Sequence, residues 1–387
     1  EYDLRDTIKT EKKLLLFSGF YPRRRSKNNI LYVFRAGLNI FVSYAQLFSM
    51  IVQMVMDRND LSKLSETILF FMTHVTFLGK LTNFGYYRSN LFNIEDALTN
   101  PVFYGFSSEC LAVLKKKMAS CNLVAKIFRM LCILAVLLYT SVPFLDESKT
   151  KSLPLPGWLP FNTRKYYYLG VIFQIASVSI TAYNNSSIDI LTWMLITVAT
   201  AEFDILKENL KTINFRSECE ARANKTVFKN CIKHHKAIVK YENEFYYNVL
   251  FYCTISYDFS LIHKIEATFS KGIFLQFFAS VVSFPSVQFG FLVMYLLCML
   301  WQVGMYCWFG HDVMTTSNDI GHFFYMSNWY ESRVTIRKDF YIFFERTKKP
   351  VTLTAGKFIT LSLTTLTGIL RSSYSYFAVL QHIYKKP

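Results

Sequence analysis

Seven stretches of this chain stay apolar over roughly the 20 residues that a helix needs to cross about 30 Å of hydrocarbon. They lie near 31–56, 64–86, 123–145, 166–201, 262–284, 287–312 and 353–384. The fourth is too long for one span and carries Asn184 to Asp189 (NNSSID) in its middle. It reads either as two spans joined by a tight turn or as one helix that runs on beyond the membrane.

The basic residues decide between these. With the N-terminus on the cytosolic side, the loops on that side hold the large majority of the Lys and Arg, which is the bias that sets orientation. Splitting the fourth stretch would reverse everything after it and put the basic loops 202–261 and 313–352 outside. One long helix is therefore expected. The pattern predicts an all-α membrane protein of seven transmembrane helices, with N-terminus cytosolic, C-terminus extracellular and a cytosolic helical anchor region. In chain order these are a cytosolic segment 1–30, spans S1 to S4 over 31–201, a cytosolic loop with anchor helices over 202–261, S5 and S6 over 262–312, a cytosolic anchor segment 313–352, and S7 with the C-terminus over 353–387.

Composition points the same way: of 387 residues, 52% are hydrophobic, 17% aromatic and only 18% charged, a departure from soluble averages toward membrane proteins. The net charge of +16 is spread over several loops, so it reads as a topology signal and not as a nucleic-acid surface. The opening residues lack the uninterrupted apolar core of a signal peptide. All eight cysteines (Cys110, Cys121, Cys132, Cys219, Cys231, Cys253, Cys298, Cys307) fall in spans or cytosolic loops on this map, so no extracellular disulfide is expected. The sequons at Asn184, Asn185 and Asn224 fall in a helix or in the cytosol and are expected to be unmodified.

Little in the chain suggests catalysis. Cys219, Cys231, His234 and His235 match no familiar zinc spacing, and adjacent histidines on a helix point about 100° apart. They read as part of a solvated amphipathic helix, with no metal or other cofactor. No nucleophile elbow, phosphate-cradling loop or paired intramembrane carboxylates appear, which leaves an enzyme reading without a constellation. Asp189 is an ionisable group near membrane depth and so a candidate for function, with a place at the inner interface as the alternative. Met305 to Val313 (MYCWFGHDV) and Ser327 to Glu331 (SNWYE) cluster large aromatics before an amphipathic segment, Ser332 to Lys349, that Pro350 closes. They predict a packed cytosolic anchor.

The last stretch is unusual, since Leu353 to Gln381 contains nine Ser or Thr and one Arg. On a helical wheel Lys357, Thr364, Gly368, Arg371, Ser372, Ser375, Val379 and His382 share one polar arc, opposite Ile359, Leu363, Leu366, Leu370, Phe377 and Leu380. Such an arc must face water or protein, because a central Arg costs about 2.5 to 3.5 kcal/mol in lipid. Hydroxyls also serve as glue between helices. The arc's length and its apolar ending at Val379 and Ile383 favour a pore, which requires several chains around an axis.

At these residues the sequence resembles the insect odorant receptors. MYCWFGHDV, the NWYE after it, PVTLTAGKF and SSYSYFAVLQ stand in that family's order and spacing, and His263 to Ser280 looks like its fifth span. The resemblance implies a ligand-gated, non-selective cation channel, tetrameric, with S7 lining a central pore and with the co-receptor Orco as partner in a heterotetramer. The chain looks like an odorant-tuned subunit, because it lacks the co-receptor's longer loop between spans four and five and its TYFMVL ending, where Ser375 to Leu380 read SYFAVL. Gustatory receptors end in TYhhhhhQF, and here Gln381 comes one position early and is followed by His382. A G-protein-coupled receptor would need the opposite orientation, an extracellular disulfide and an Arg motif after the third span. A transporter would call for inverted halves and broken helices.

The resemblance also implies a small, dry, aromatic-lined site for a volatile odorant in the outer half of S2 to S6. Depth and helical face select Phe71, Met72 and Val75 on S2, Ala135, Leu138 and Tyr139 on S3, and Phe173, Ala176, Ser177 and Ile180 on S4. Phe278 and Val282 on S5 and Tyr295 on S6 complete the set. Ser372, Ser375, Val379, His382 and Ile383 are the pore and gate candidates. A multi-pass place among plasma-membrane lipids, in the dendrite of an olfactory neuron, follows from the same resemblance.

Overall fold

Helix α2 (Ile30–Met56) is built inside out by the standards of a soluble protein: Ser43, Gln46, Ser49 and Met50 form its buried side, while Phe34, Leu38, Phe41, Phe48 and Val55 are exposed. A polar face turned inward and an apolar face turned outward fits a lipid surround, where helices associate through small and polar contacts. The computed structural model describes residues 3–23, 30–86, 88–103, 108–145, 153–163, 165–213, 221–245, 287–332, 334–355 and 359–384. Among them α1 (Arg5–Ser18) and α2 are followed by α3 (Leu61–Tyr86), α4 (Arg88–Ala97), a 3-10 turn (Pro101–Phe103), α5 (Ser108–Leu145), α6 (Tyr167–Lys211) and α7 (Ala221–Phe245). Next come α8 (Val287–Tyr325), α9 (Val334–Thr347), the two-residue strands β1 (Thr354–Ala355) and β2 (Ile359–Thr360), and α10 (Leu363–Tyr384). The expected fifth span lies outside the described residues.

The fourth stretch is one helix. At 45 residues, α6 is about 68 Å long, about twice a bilayer's hydrocarbon thickness. Every residue from Ser186 to Phe203 is buried, as a helix enclosed on all sides must be; α1, α5, α7 and α8 pack around it. Its buried hydroxyls are satisfied within the helix, with Thr192 donating to the Ile188 carbonyl at 2.9 Å, Thr197 to Trp193 at 2.8 Å and Thr200 to Ile196 at 3.0 Å.

Three helical boundaries differ from the apolar pattern. Helix α5 starts at Ser108, well before 123, because Leu114, Met118, Cys121, Ala125 and Phe128 continue a buried stripe at three- to four-residue spacing, with Lys115, Lys116 and Lys117 along the same turns. Helix α8 runs to Tyr325 and places Met305 to Val313 in mid-helix. The last helix begins at Leu363 rather than 353. Ser362 caps it, its Oγ accepting from the Thr365 N–H at 3.2 Å, and β-branched Thr354, Ile359 and Thr360 pair in a short antiparallel ladder before it. Ile359 therefore belongs to a strand, Lys357 lies outside the described residues, and the polar arc on the helix starts at Thr364.

At one end of the molecule α7, α8 and α9 meet in an aromatic cluster. Phe228 lies 4.6 Å from Phe340 and 5.2 Å from Phe324, and Phe324 lies 4.8 Å from Phe344, centroid to centroid. The N-terminal helix packs on α6 and α2. Gly19, at φ 83°, ends α1 in a Schellman motif, with Phe20 N donating to Leu15 O and Gly19 N to Leu16 O. Two carboxylate contacts then fix α1: Arg129 of α5 donates to both Glu11 oxygens at 2.6 Å. Burial raises the Glu11 carboxyl while Arg129 pulls it back down.

Candidate functional site

Away from the aromatic cluster, α2, α3, α5, α6 and α8 enclose a cavity of about 140 Å³, close to the size of an engineered cavity that holds benzene. Helix α3 supplies Phe70, Thr73 and His74; α5 supplies Phe128, Cys132, Ala135 and Tyr139; α8 supplies Tyr295, Cys298 and Met299. Aromatic and sulfur-bearing side chains share the wall with small aliphatic, hydroxyl and amide groups. No Asp, Glu, Lys or Arg lines it among the described residues.

A turn of chain between α5 and α6 contributes to the cavity wall. Leu155, 2% exposed, points into the cavity and is held by a paired amide contact, in which the Leu155 N–H donates to Gln174 Oε1 at 3.1 Å and Gln174 Nε2 donates to the Leu155 carbonyl at 2.9 Å. Trp158 and Ser49 repeat the arrangement on α2, with Trp158 N donating to Ser49 O at 3.1 Å and Ser49 Oγ to Trp158 O at 2.7 Å.

Most polar groups in the wall are already engaged. His74 Nε2 lies 2.8 Å from the Ser43 carbonyl, which only accepts, so Nε2 carries the proton and Nδ1 accepts from Thr181, 3.5 Å away. Tyr139 donates to Gln174 at 3.5 Å, and Thr73 and Tyr295 share a hydrogen bond.

Beneath the cavity the floor residue Asn185 accepts from Lys80 Nζ at 3.2 Å. Lys80, 3% exposed in its side chain, forms an ion pair with the fully buried Asp189 at 3.0 Å. Tyr306 of α8 donates to the same Asp189 oxygen at 2.7 Å. Asp189 is thus a core residue joining α3, α6 and α8, not a group at an interface. Lys80 was legible as a cation inside an apolar stretch, but nothing in the sequence paired it with residue 189.

Four sequence-selected positions, Ala135, Tyr139, Ser177 and Tyr295, come together in this wall. Phe71 packs instead beside Met50, Tyr139 and Leu155, and Ile180 beside Phe20 and Phe77. Met72, Val75, Leu138 and Phe173 are half-buried away from the wall, Ala176 is exposed, and Phe278 and Val282 lie outside the described residues. The wall of α3 is turned by one position from the expected face, toward Phe70 and Thr73. On α10, Ser372 is half-buried and Ser375 exposed; Val379, His382 and Ile383 lie on the helix beyond them.

Of the cysteine and histidine group, Cys231, His234 and His235 are buried in helix packing. Among the described residues no cluster has the makings of a metal site; Cys219 lies outside them. His234 and His235 are buried, not solvated, because α7 packs against α6 over a broad face. His234 meets Glu202 at 2.9 Å, and burial raises the Glu202 carboxyl against the lowering pull of that histidine. His235 packs on Phe203 and Phe343; burial lowers it to about 4, helped by Arg346 and His234. Glu242 is 2% exposed, and burial alone raises it to about 8. The six described cysteines are all free thiols.

The family model described as 7tm Odorant receptor matches residues 60–374, the greater part of the chain. The chain belongs to the odorant receptor family. It is similar to Odorant receptor Or1 of Anopheles gambiae, 22% identical over 98% of this chain and 96% of that one. It is also similar to Odorant receptor 94a of Drosophila melanogaster, 30% identical over 25% of each chain. Its fold is that of the insect olfactory receptor OR5 from Machilis hrabei, solved in complex with eugenol, with a TM-score of 0.83 at 17% identity over 98% of both chains. This is the seven-transmembrane helical fold of a receptor, not of an enzyme. Three helical segments, Ile30–Met56, Glu109–Ser141 and Val293–Tyr325, are long and apolar enough by themselves to cross a membrane among the described residues.

Proposed function

We propose that this odorant receptor is the ligand-sensing subunit of an odorant-gated, non-selective cation channel, and that the cavity among α2, α3, α5, α6 and α8 is its odorant site. The observation that carries the reading is the cavity itself: largely apolar, lined by no Asp, Glu, Lys or Arg among the described residues, and of the size of a small volatile. The N-terminus and the aromatic cluster of α7 to α9 are cytosolic, the 153–159 turn is extracellular, and the membrane is the plasma membrane of an olfactory neuron's dendrite.

Signal leaves the cavity through its floor. Asn185 touches both the cavity and Lys80, and the pair with Asp189 reaches Tyr306 on α8. One turn on, Gly310 packs so closely on Leu361 that an added Cβ would sit 2.7 Å from the Leu361 Cβ, and Leu361 leads into α10. An odorant that binds better when α8 and α10 are displaced would open the channel through that difference in affinity alone.

Helix α10 lines the pore, in a heterotetramer with the co-receptor Orco. Thr364, Thr367, Gly368, Arg371 and Ser375 are exposed in the single chain, which leaves this face free for water or for neighbouring subunits. Val379 and Ile383 share a face near its end and form an apolar gate that excludes water. Arg371 turns toward a neighbouring subunit, since a fixed cation in the lumen would oppose cation flow.

The test is a panel of volatiles on cells expressing the chain with and without Orco. Odour-evoked cation current is expected with Orco only, is abolished by Ala135→Trp, which fills the cavity, and persists at normal surface expression in wild type. Robust current from the chain alone would contradict the co-receptor assignment, and an unaltered response in Ala135→Trp would contradict the site.

A further inference from the structure

Two buried polar side chains in the cavity wall are unlike the others. Gln46 of α2, 1% exposed, has no hydrogen-bond partner at either its amide nitrogen or its amide oxygen, and Ser177 of α6, also 1% exposed, has none at its hydroxyl. Both line the cavity. Ser177 does not even donate to the carbonyl one turn back, as Thr192, Thr197 and Thr200 do on the same helix. Their neighbours Tyr139, Thr73 and His74 are satisfied, and among the described lining residues Gln46 and Ser177 are the two whose polar atoms are fully buried without a partner, with the Gln302 amide of α8 as a further polar group in the wall.

Buried amides and hydroxyls without partners are unfavourable and rare, and here they face a cavity lined by no Asp, Glu, Lys or Arg among the described residues. The Gln46 amide offers donors and an acceptor, and Ser177 offers one of each. With Phe70, Phe128 and Tyr295 among the other lining residues, the complement is an apolar body with one group that both donates and accepts.

We infer that the odorant class of this receptor is a small neutral alcohol or phenol, whose hydroxyl is recognised by Gln46 and Ser177. The inference rests on the cavity being the odorant site. A hydroxyl donates to Gln46 Oε1 while accepting from Gln46 Nε2 or from Ser177. A carbonyl of the same size only accepts and leaves Oε1 unmet, and a hydrocarbon leaves all three atoms unmet. Carboxylates and amines are disfavoured, because the described wall carries no charge to pair with them. Sites built to hydrogen-bond a ligand hydroxyl discriminate strongly against analogues without it.

Benzyl alcohol, benzaldehyde and toluene form a matched probe set of nearly equal size. In cells expressing the full chain with Orco, benzyl alcohol is expected to act at a concentration lower by about tenfold or more than either analogue. Gln46→Leu should remove most of that ratio by weakening the benzyl alcohol response more than the toluene response, and Ser177→Ala should reduce it, with surface labelling of each variant measured in parallel. A wild-type preference for toluene or benzaldehyde, or a panel in which only non-hydroxylated volatiles act, would overturn the inference. So would a wild-type ratio retained in Ser177→Ala and in any surface-expressed Gln46→Leu. If Ala135→Trp silences all three probes while the ratio survives those substitutions, the cavity stands and the ligand class falls. If Ala135→Trp silences none of them, the site assignment fails and this inference fails with it.

Discussion

Lys80 and Asp189 meet at 3.0 Å with side chains 3% and 0% exposed, which makes them a desolvated ion pair between α3 and α6 at the floor of the cavity. Removing one partner strands the other charge in a site that water does not reach, at a cost of roughly 3 to 5 kcal/mol. Lys80→Met or Asp189→Asn alone should therefore cut surface expression severely, while Lys80→Met with Asp189→Leu should restore much of it. The double variant should still respond poorly to odorant, since Asn185 loses Lys80 and Tyr306 loses Asp189. Quantitative surface labelling checks this, and single variants as well expressed as the double would refute it.

Gly310 is a contact point between α8 and the chain leading into α10. With an added Cβ 2.8 Å from the Leu361 carbonyl oxygen, the backbone itself blocks a side chain. Gly310→Ala should force α8 away from Leu361 and abolish or sharply reduce odour-evoked current. Patch-clamp recording with Orco is the check, and wild-type current would remove this contact from the gating route.

The α6–α7 junction should give stability a bell-shaped pH dependence. Glu242, raised to about 8 from 4.5, keeps its proton when folded. Between those values the unfolded chain has released its proton and the folded chain has not, so stability falls as pH rises toward 8. His235, lowered to about 4 from 6.5, acts in the other direction, and stability falls as pH drops from 6.5 toward 4. Glu242→Gln should raise the thermal midpoint of the solubilised chain at pH 8 and have little effect at pH 5. His235→Phe should flatten the acid side alone. A midpoint in Glu242→Gln that tracks wild type at every pH would show that Glu242 is already ionised.

If Val379 and Ile383 form the gate, polar substitution lowers the barrier to water and ions. Val379→Ser or Ile383→Ser should raise basal current or alter ion selectivity, diluted where only some subunits carry the change. Cysteines placed at 375, 379 and 383 that stay inaccessible to water-borne thiol reagents, with and without odorant, would instead make the hydroxyls of α10 helix glue.

Much of the fold was readable because apolar length and basic loops report directly on spans, and α6 was correctly one helix on charge grounds alone. The boundaries were less readable where packing, not lipid, holds the helix: α5 and α8 extend on stripes such as Leu114, Met118 and Cys121 that an apolar-window criterion passes over. The wall residues divide in the same way. Depth and helical face selected four residues that line the cavity, Ala135, Tyr139, Ser177 and Tyr295, but the rotation of α3 that presents Phe70 and Thr73 depends on partners such as Lys80–Asp189, distant in sequence. Gln46 was hidden because α2 reads as uniformly apolar, with its few polar residues gathered on the one side that turns inward.

A structure of the full chain with Orco and a bound agonist tests the central claim most directly. The account predicts ligand density between Tyr139, Ser177 and Tyr295, beneath Leu155. Density elsewhere, such as the charged groove of about 390 Å³ beside Lys236, Asp339 and Arg346, with this cavity unchanged, would contradict it.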